Sequence, residues 1–149
     1  MMLKALRTAF TVSNMDRSLA FYTGVLGFQL LYDKLRDGPS FETMLGIPRV
    51  KLRVVALKDS AGSEHLLELV EYLEPKTEVR RPRFTEVGAA NVCYVVDDLA
   101  AVFDKLQRCG AQCVNPPGDY VRDGQRMGQI MFVLDPDGIP VCLFERLPS

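Results

Sequence analysis

The second half of this chain repeats the first, and that repeat limits the folds open to it more than any other feature. Superposing the halves on the residues that begin their helices puts Val12 on Val96, Asn14 on Asp98, Leu19 on Phe103 and Tyr22 on Leu106. The hairpin turns at Gly62 and Gly138 correspond as well, with two extra residues after Gly62. One chance match is cheap. Two in the same order, with the same kinds of element between them, indicate an internal duplication.

Hydrophobic periodicity names the elements. Residues 4–12 read as a strand, because Phe10 and Val12 alternate with Ala9 and Thr11. Ser13 or Asn14 caps a helix with Met15, Leu19, Tyr22 and Leu26 on one face, and Gly24 and Gly27 weaken and end it. A strand over 28–35 stops at Asp37-Gly38-Pro39, and a loop carrying Phe41, Met44 and Leu45 follows, with room for one helical turn. Strands 50–58 and 65–73 are joined through Asp59-Ser60-Ala61-Gly62. The second half reads as a strand over 90–96, then a helix capped by Asp97-Asp98 with Leu99, Val102, Phe103 and Leu106 inward and a stop at Gly110. Residues 111–114 begin the next strand, 115–126 read as a Pro/Gly-rich loop, and strands 128–134 and 139–146 flank the turn Asp135-Pro136-Asp137-Gly138. The expected fold class is α+β: two β-α-β-β-β modules, 4–73 and 89–147, in one domain, joined by the polar linker 74–88.

Composition removes several function classes. With 18 basic and 19 acidic residues and 48% apolar content, the chain is neither disordered nor polyanion-binding, and Arg80, Arg81 and Arg83 form only one short basic loop. No nucleic-acid partner is expected. The longest apolar runs, such as Leu99 to Phe103, fall far short of the ~20 residues a membrane helix needs. Lys4 and Arg7 are followed by no apolar leader, so the expected location is the cytoplasm, with no membrane partner. Four cysteines, Cys93, Cys109, Cys113 and Cys142, accompany a single histidine, His65, which is too few donors at zinc spacing. They read as free thiols in a reducing compartment, a regulatory disulfide being the alternative.

The segments V-S-N-M-D-R-S-L-A-F-Y-T-G-V-L-G-F-Q and D-P-D-G-I-P-V-C-L-F-E resemble the vicinal oxygen chelate superfamily, which includes glyoxalase, bleomycin-resistance proteins and extradiol dioxygenases. The resemblance covers nearly the whole chain. It implies curled mixed sheets enclosing a cavity with the helices outside, and a homodimer. In metal-using members, four side chains from the first and last strands of the two modules hold a divalent cation. Those positions match Arg7, Glu68, Asn91 and Cys142 here.

Strand parity supports the same four. Arg7, Ala9 and Thr11 share one face of their strand, Thr8, Phe10 and Val12 the other, and Leu66 and Glu68 point opposite to Leu67 and Leu69. Only Glu68 among the four is an ordinary ligand for a hard or borderline cation. Arg7 carries a permanent positive charge and no usable lone pair. No metal or other cofactor is therefore expected. Arg7 either pairs with Glu68 across the old site or anchors the carboxylate or enolate of an anionic ligand, with Asn91 donating a hydrogen bond and Glu68 as general base. Cys93, Cys142, Phe144, Phe41 and Met44 are candidate ligand contacts, and Cys142 is a nucleophile only if a neighbour activates it. His65 is expected at a sheet end, and Glu71 and Glu74 as surface charges. The function expected is a glyoxalase-like small-molecule cavity protein, metal-independent, acting on or binding an organic anion by lyase or isomerase chemistry. The alternatives are a non-catalytic sequestering protein of bleomycin-resistance type and a divalent-metal enzyme whose ligands lie elsewhere.

Overall fold

The structure, a computed structural model, describes residues 1–148. It divides into two compact units, Met1–Arg80 and the remainder from Arg81. The first contains β1 (Arg7–Thr11), α1 (Met15–Leu19), β2 (Gln29–Asp37), α2 (Pro39–Leu45), β3 (Lys51–Lys58) and β4 (Leu66–Glu74). The second contains β5 (Val92–Val95), α3 (Leu99–Arg108), β6 (Gly118–Arg122), β7 (Gln125–Leu134) and β8 (Pro140–Arg146). Each unit is built on a four-stranded mixed sheet with the same order, β1-β4-β3-β2 and β5-β8-β7-β6. In each the first strand pairs parallel to the last and the other pairs are antiparallel. Among the described residues no helix is long and apolar enough to cross a membrane.

The duplication extends to individual hydrogen bonds. Asn14 and Asp98 both cap their helices, accepting from the amides of Arg17 at 2.9 Å and Ala101 at 2.8 Å. Val12 N donates to Val70 O and Val96 N to Phe144 O, both at 2.9 Å. The first helical amide is caught from the last strand each time: Met15 N donates to Glu71 Oε2 at 3.0 Å, and Leu99 N to Glu145 Oε2 at 2.7 Å. Glu71 is thus half-buried and structural, not the surface charge its sequence position suggests. Glu74 does lie at the surface, where it pairs with Lys51 at 3.1 Å.

Three further readings are corrected. The first helix does not end as a simple α-helix; it continues as a π-helix over Ala20–Val25. Its wider turn absorbs one residue relative to α3, so Gly27 stands where Gly110 stands, both at positive φ. The loop after Pro39 is a helix of seven residues, with Pro39 at its start and Gly46 in the left-handed conformation after its end. The second strand of the second sheet in chain order is β6, inside the segment read as a loop, whereas Cys113 makes only an isolated bridge to Val133. Asp123 (φ 52°) and Gly124 (φ 77°) form the two-residue hairpin turn that pairs β6 with β7.

In the first sheet, Phe10, Val55, Leu57, Leu67 and Leu69 are buried, and they share strand parity with Glu71, which holds α1. Arg53 lies on the same face. It binds Asp33 through two bonds of 2.9 and 2.6 Å and Asp16 of α1 at 2.7 Å. The opposite face holds Val50, Leu52 and Val54, against which Phe41, Leu45 and Ile47 pack with Tyr32, Val70 and Tyr72. In the second unit Met131, Val133, Val141 and Leu143 form the corresponding buried row, and Leu99 and Leu106 of α3 are fully buried.

Two consequences can be measured. Glu71→Ala and Glu145→Ala, read by urea unfolding, should each lower stability by about 1 kcal/mol, the typical value of a lost helix-start acceptor. The hydrogen bonds from Arg53 hold the Asp33 carboxyl below its ordinary range. Its contribution is therefore present above the ordinary carboxylate pKa and lost as pH falls through the depressed value. Asp33→Asn should cost about 0.5–1 kcal/mol near neutral pH, given partial solvent screening, and the difference from wild type should vanish in strong acid.

Candidate functional site

Glu68 occupies the middle of β4 and is only 7% exposed. Its row across the sheet reads Ala9, Glu68, Ala56, Tyr32 from β1 to β2. Partners in one row share a face, so all four side chains project away from the Glu71 face. Ala9 and Ala56 are the smallest side chains that could flank the carboxylate, and they leave space for longer neighbours to reach it. Arg7 Nε lies 3.1 Å from Glu68 Oε1, and Tyr32 Oη donates to Glu68 Oε2 at 3.0 Å. Both carboxylate oxygens are thereby engaged by different donors, one charged and one neutral.

This geometry realises the pairing of Arg7 with Glu68. The Arg7 side chain is half exposed while that of Glu68 is buried, so the guanidinium faces solvent from one side and the carboxylate from the other. Tyr32 is the site residue that sequence reasoning missed. Alternation along β2 misleads there because the register shifts between Leu30 and Tyr32, which puts these two residues on opposite faces although they are two apart. Partial burial, followed by the hydrogen bond to Glu68 and its negative charge, pushes the Tyr32 phenol above its ordinary range, against a lowering by Arg7 and Arg36. Arg36, half-buried on β2 opposite Leu52, adds a second cation near this face. Phe41 packs in the apolar cluster that includes Tyr32, whereas Met44 is 65% exposed and outside that cluster. His65 bonds Thr8 at 2.9 Å through Nε2 and belongs to the opposite parity, apart from Glu68.

In the second unit the matching positions carry different chemistry. Cys142 is 3% exposed and stands beside Cys93 in the parallel pairing of β5 and β8, the two sulfurs 2.9 Å apart. Burial, then the contact with Cys93, pushes the Cys142 thiol up to about 12. At neutral pH it is a thiol and not an activated nucleophile. Phe144, two residues on, packs edge-to-face on Tyr120 with ring centroids 5.7 Å apart. Asn91 precedes β5, is exposed, and lines a recess of about 30 Å³ with Phe84, Ala89 and Pro140, room for about one water.

A divalent cation is a poor match for these side chains. Among the described residues no three His, Cys, Asp or Glu side chains converge on a common point. The one carboxylate at the matched positions already holds a guanidinium and a phenol, and Arg7 offers no lone pair.

Comparison with known proteins agrees with this architecture. The model of the Glyoxalase/Bleomycin resistance protein/Dioxygenase superfamily matches residues 4–143. The chain is 30% identical over 145 residues to a probable lactoylglutathione lyase of Vibrio parahaemolyticus, covering 96% of this chain and 91% of that one. It is 29% identical over 148 residues to a probable chloroplastic lactoylglutathione lyase of Arabidopsis thaliana, covering 98% of this chain but only 37% of that longer protein. A crystal structure of a glyoxalase family protein from Bacillus cereus superposes with a TM-score of 0.83 at 20% identity, over 99% of this chain and 97% of that one. With both sheets in the order and register described above, the chain belongs to the glyoxalase/bleomycin resistance protein/dioxygenase superfamily.

Proposed function

We propose that this protein is a metal-independent member of the superfamily that acts on a small organic anion by lyase or isomerase chemistry. The observation that carries the reading is the Arg7–Glu68 pair at 3.1 Å, two positions at which metal-using members place ligands. A guanidinium there supplies fixed positive charge without a metal. Arg7 takes the carboxylate or enolate oxygen of the ligand, and Glu68 removes a proton from the adjacent carbon. Returning that proton to the other face gives an isomer; expelling a group from the neighbouring carbon gives a lyase product. Tyr32 holds Glu68 in place through its second oxygen. Phe41 provides an apolar contact and Met44 a peripheral one. In the second unit, Asn91, Cys93, Cys142 and Phe144 stand at or beside the corresponding strand positions, where they offer an amide donor and apolar side chains.

The relatives named as lactoylglutathione lyases support the reaction class, and the donor chemistry of Arg7 supports the absence of a metal step. The first experiment is metal analysis of protein purified without chelator, together with thermal-shift titrations of zinc, nickel and manganese. Near-zero metal and no shift are expected; stoichiometric metal would overturn the reading. Small organic carboxylates should raise the melting temperature in wild type but not in Arg7→Gln, whereas their amides should have no effect in either. Once a substrate is found, Glu68→Gln should slow turnover by about 10²–10⁴-fold, and unchanged turnover would sink the base role. A carboxylate that binds and is recovered unaltered would instead favour sequestration.

Tyr32 provides a separate check of the cluster. Of the five tyrosines, Tyr32 should ionise above its ordinary range in a spectrophotometric titration. That late step should be missing in Tyr32→Phe and should move down in Glu68→Gln, which removes the negative charge but not the burial.

A further inference from the structure

Cys93 and Cys142 are partners in the parallel register of β5 and β8, so their side chains share one face. Neighbouring strands run about 4.8 Å apart, inside the range of Cα separations that disulfides span. Their sulfurs already lie 2.9 Å apart as free thiols, closer than unbonded sulfurs ordinarily rest. The two side chains already touch, and the remaining gap between the sulfurs is short. The two thiols also differ in access: Cys93 is exposed, while Cys142 is buried. One can meet a reagent from solution and the other cannot. The second cysteine pair lacks this arrangement. Cys109 follows α3 and is exposed, and the Cys113 sulfur is engaged by the Ala111 carbonyl at 3.9 Å and by the Gln107 side chain.

We propose that Cys93 and Cys142 form a reversible dithiol–disulfide site that reacts with low-molecular-weight disulfides. The Cys93 thiolate attacks one sulfur of the reagent; the reagent's S–S bond breaks, and the departing thiolate takes up the proton that Cys93 released. Cys142 then loses its proton, attacks Cys93 Sγ and expels the second thiolate, which is protonated in turn. The protein dithiol is oxidised by two electrons, and one small disulfide is reduced to two thiols. Burial keeps the Cys142 thiolate scarce, and the closeness of the two sulfurs favours the intramolecular step. The product ties β5, which among the described residues is an edge strand of its sheet, to its neighbour β8. It also consumes the thiol that stands at the fourth matched ligand position. This inference is independent of the proposed anion chemistry.

The test uses the fully reduced full-length protein and 2-hydroxyethyl disulfide, with acid quench and intact-mass analysis. We expect the loss of two hydrogens and, in a non-reduced tryptic digest, a linked pair of peptides spanning 84–105 and 127–146. Cys109 and Cys113 fall together on the single peptide 109–122, so an internal link there is distinguishable. The 84–105/127–146 link should persist in the Cys109→Ser/Cys113→Ser double variant, disappear in Cys93→Ser, and revert with dithiothreitol. A stable mixed disulfide on Cys93, a link confined to 109–122, or no reaction would each overturn the proposal. Cys93→Ser changes an exposed side chain, so the test does not depend on whether Cys142→Ser folds.

Discussion

The parallel pairing of the first and last strands of each module is the constraint on which the rest of the structure depends. Parallel neighbours cannot be joined by a tight turn, so the chain must leave β1 through a helix and return through further strands before β4 can lie beside it. Three interactions fix that departure identically in both modules: the amide of Val12 or Val96, the cap at Asn14 or Asp98, and the glutamate at 71 or 145 that meets the first helical amide. Together they lock the register that sets Ala9 beside Glu68 and Cys93 beside Cys142. A slip of one residue would turn Glu68 onto the helix face and dissolve the site.

That register determines the electrostatics. A carboxylate as buried as Glu68 would cost several kcal/mol without partners, and Arg7 and Tyr32 together offset this. The half exposure of Arg7 matters equally. Two unit charges ~4 Å apart attract by about 1 kcal/mol in water and about 4 kcal/mol at a protein surface. In the proposed function, a carboxylate would meet Arg7 from its solvent side without first having to strip a buried cation. The pair is therefore compatible with both a folded resting state and an anion-binding state, which a fully buried ion pair would not be.

Much of the fold was legible because it is enforced locally. Alternation marked most of the strands, and the two caps marked the helix starts to within one residue. What was not legible depended on one-residue irregularities. The bulge at Leu31 inverted the parity that would have placed Tyr32 next to Glu68. The π-turn at Ala20–Val25 concealed a one-residue difference between the modules. The strand β6 was masked by nearby prolines, although Asp123-Gly124 is a hairpin signal in its own right. Glu71 looked like a surface charge because parity says which face a side chain joins, not that a helix amide waits there. Its counterpart Glu145 carried the same information, and the duplication makes the pair readable together.

The duplication also explains why equivalent positions came to hold such different chemistry. Glu68 and Cys142 stand at equivalent places in the two sheets, each flanked by one residue on the first strand and one on the strand beyond. In the first module both flanking residues are alanines, Ala9 and Ala56, so longer side chains from Arg7 and Tyr32 can bend over them and satisfy a charge. In the second module the flanking residues are Cys93 and Phe132, and Phe132 itself packs against Phe84 at 5.2 Å. Larger neighbours exclude both water and distant donors, so a carboxylate at Cys142 would be buried without a partner, while a neutral thiol is tolerated. Side-chain volume beside the central position, more than the backbone, determines which module carries charge and which carries sulfur.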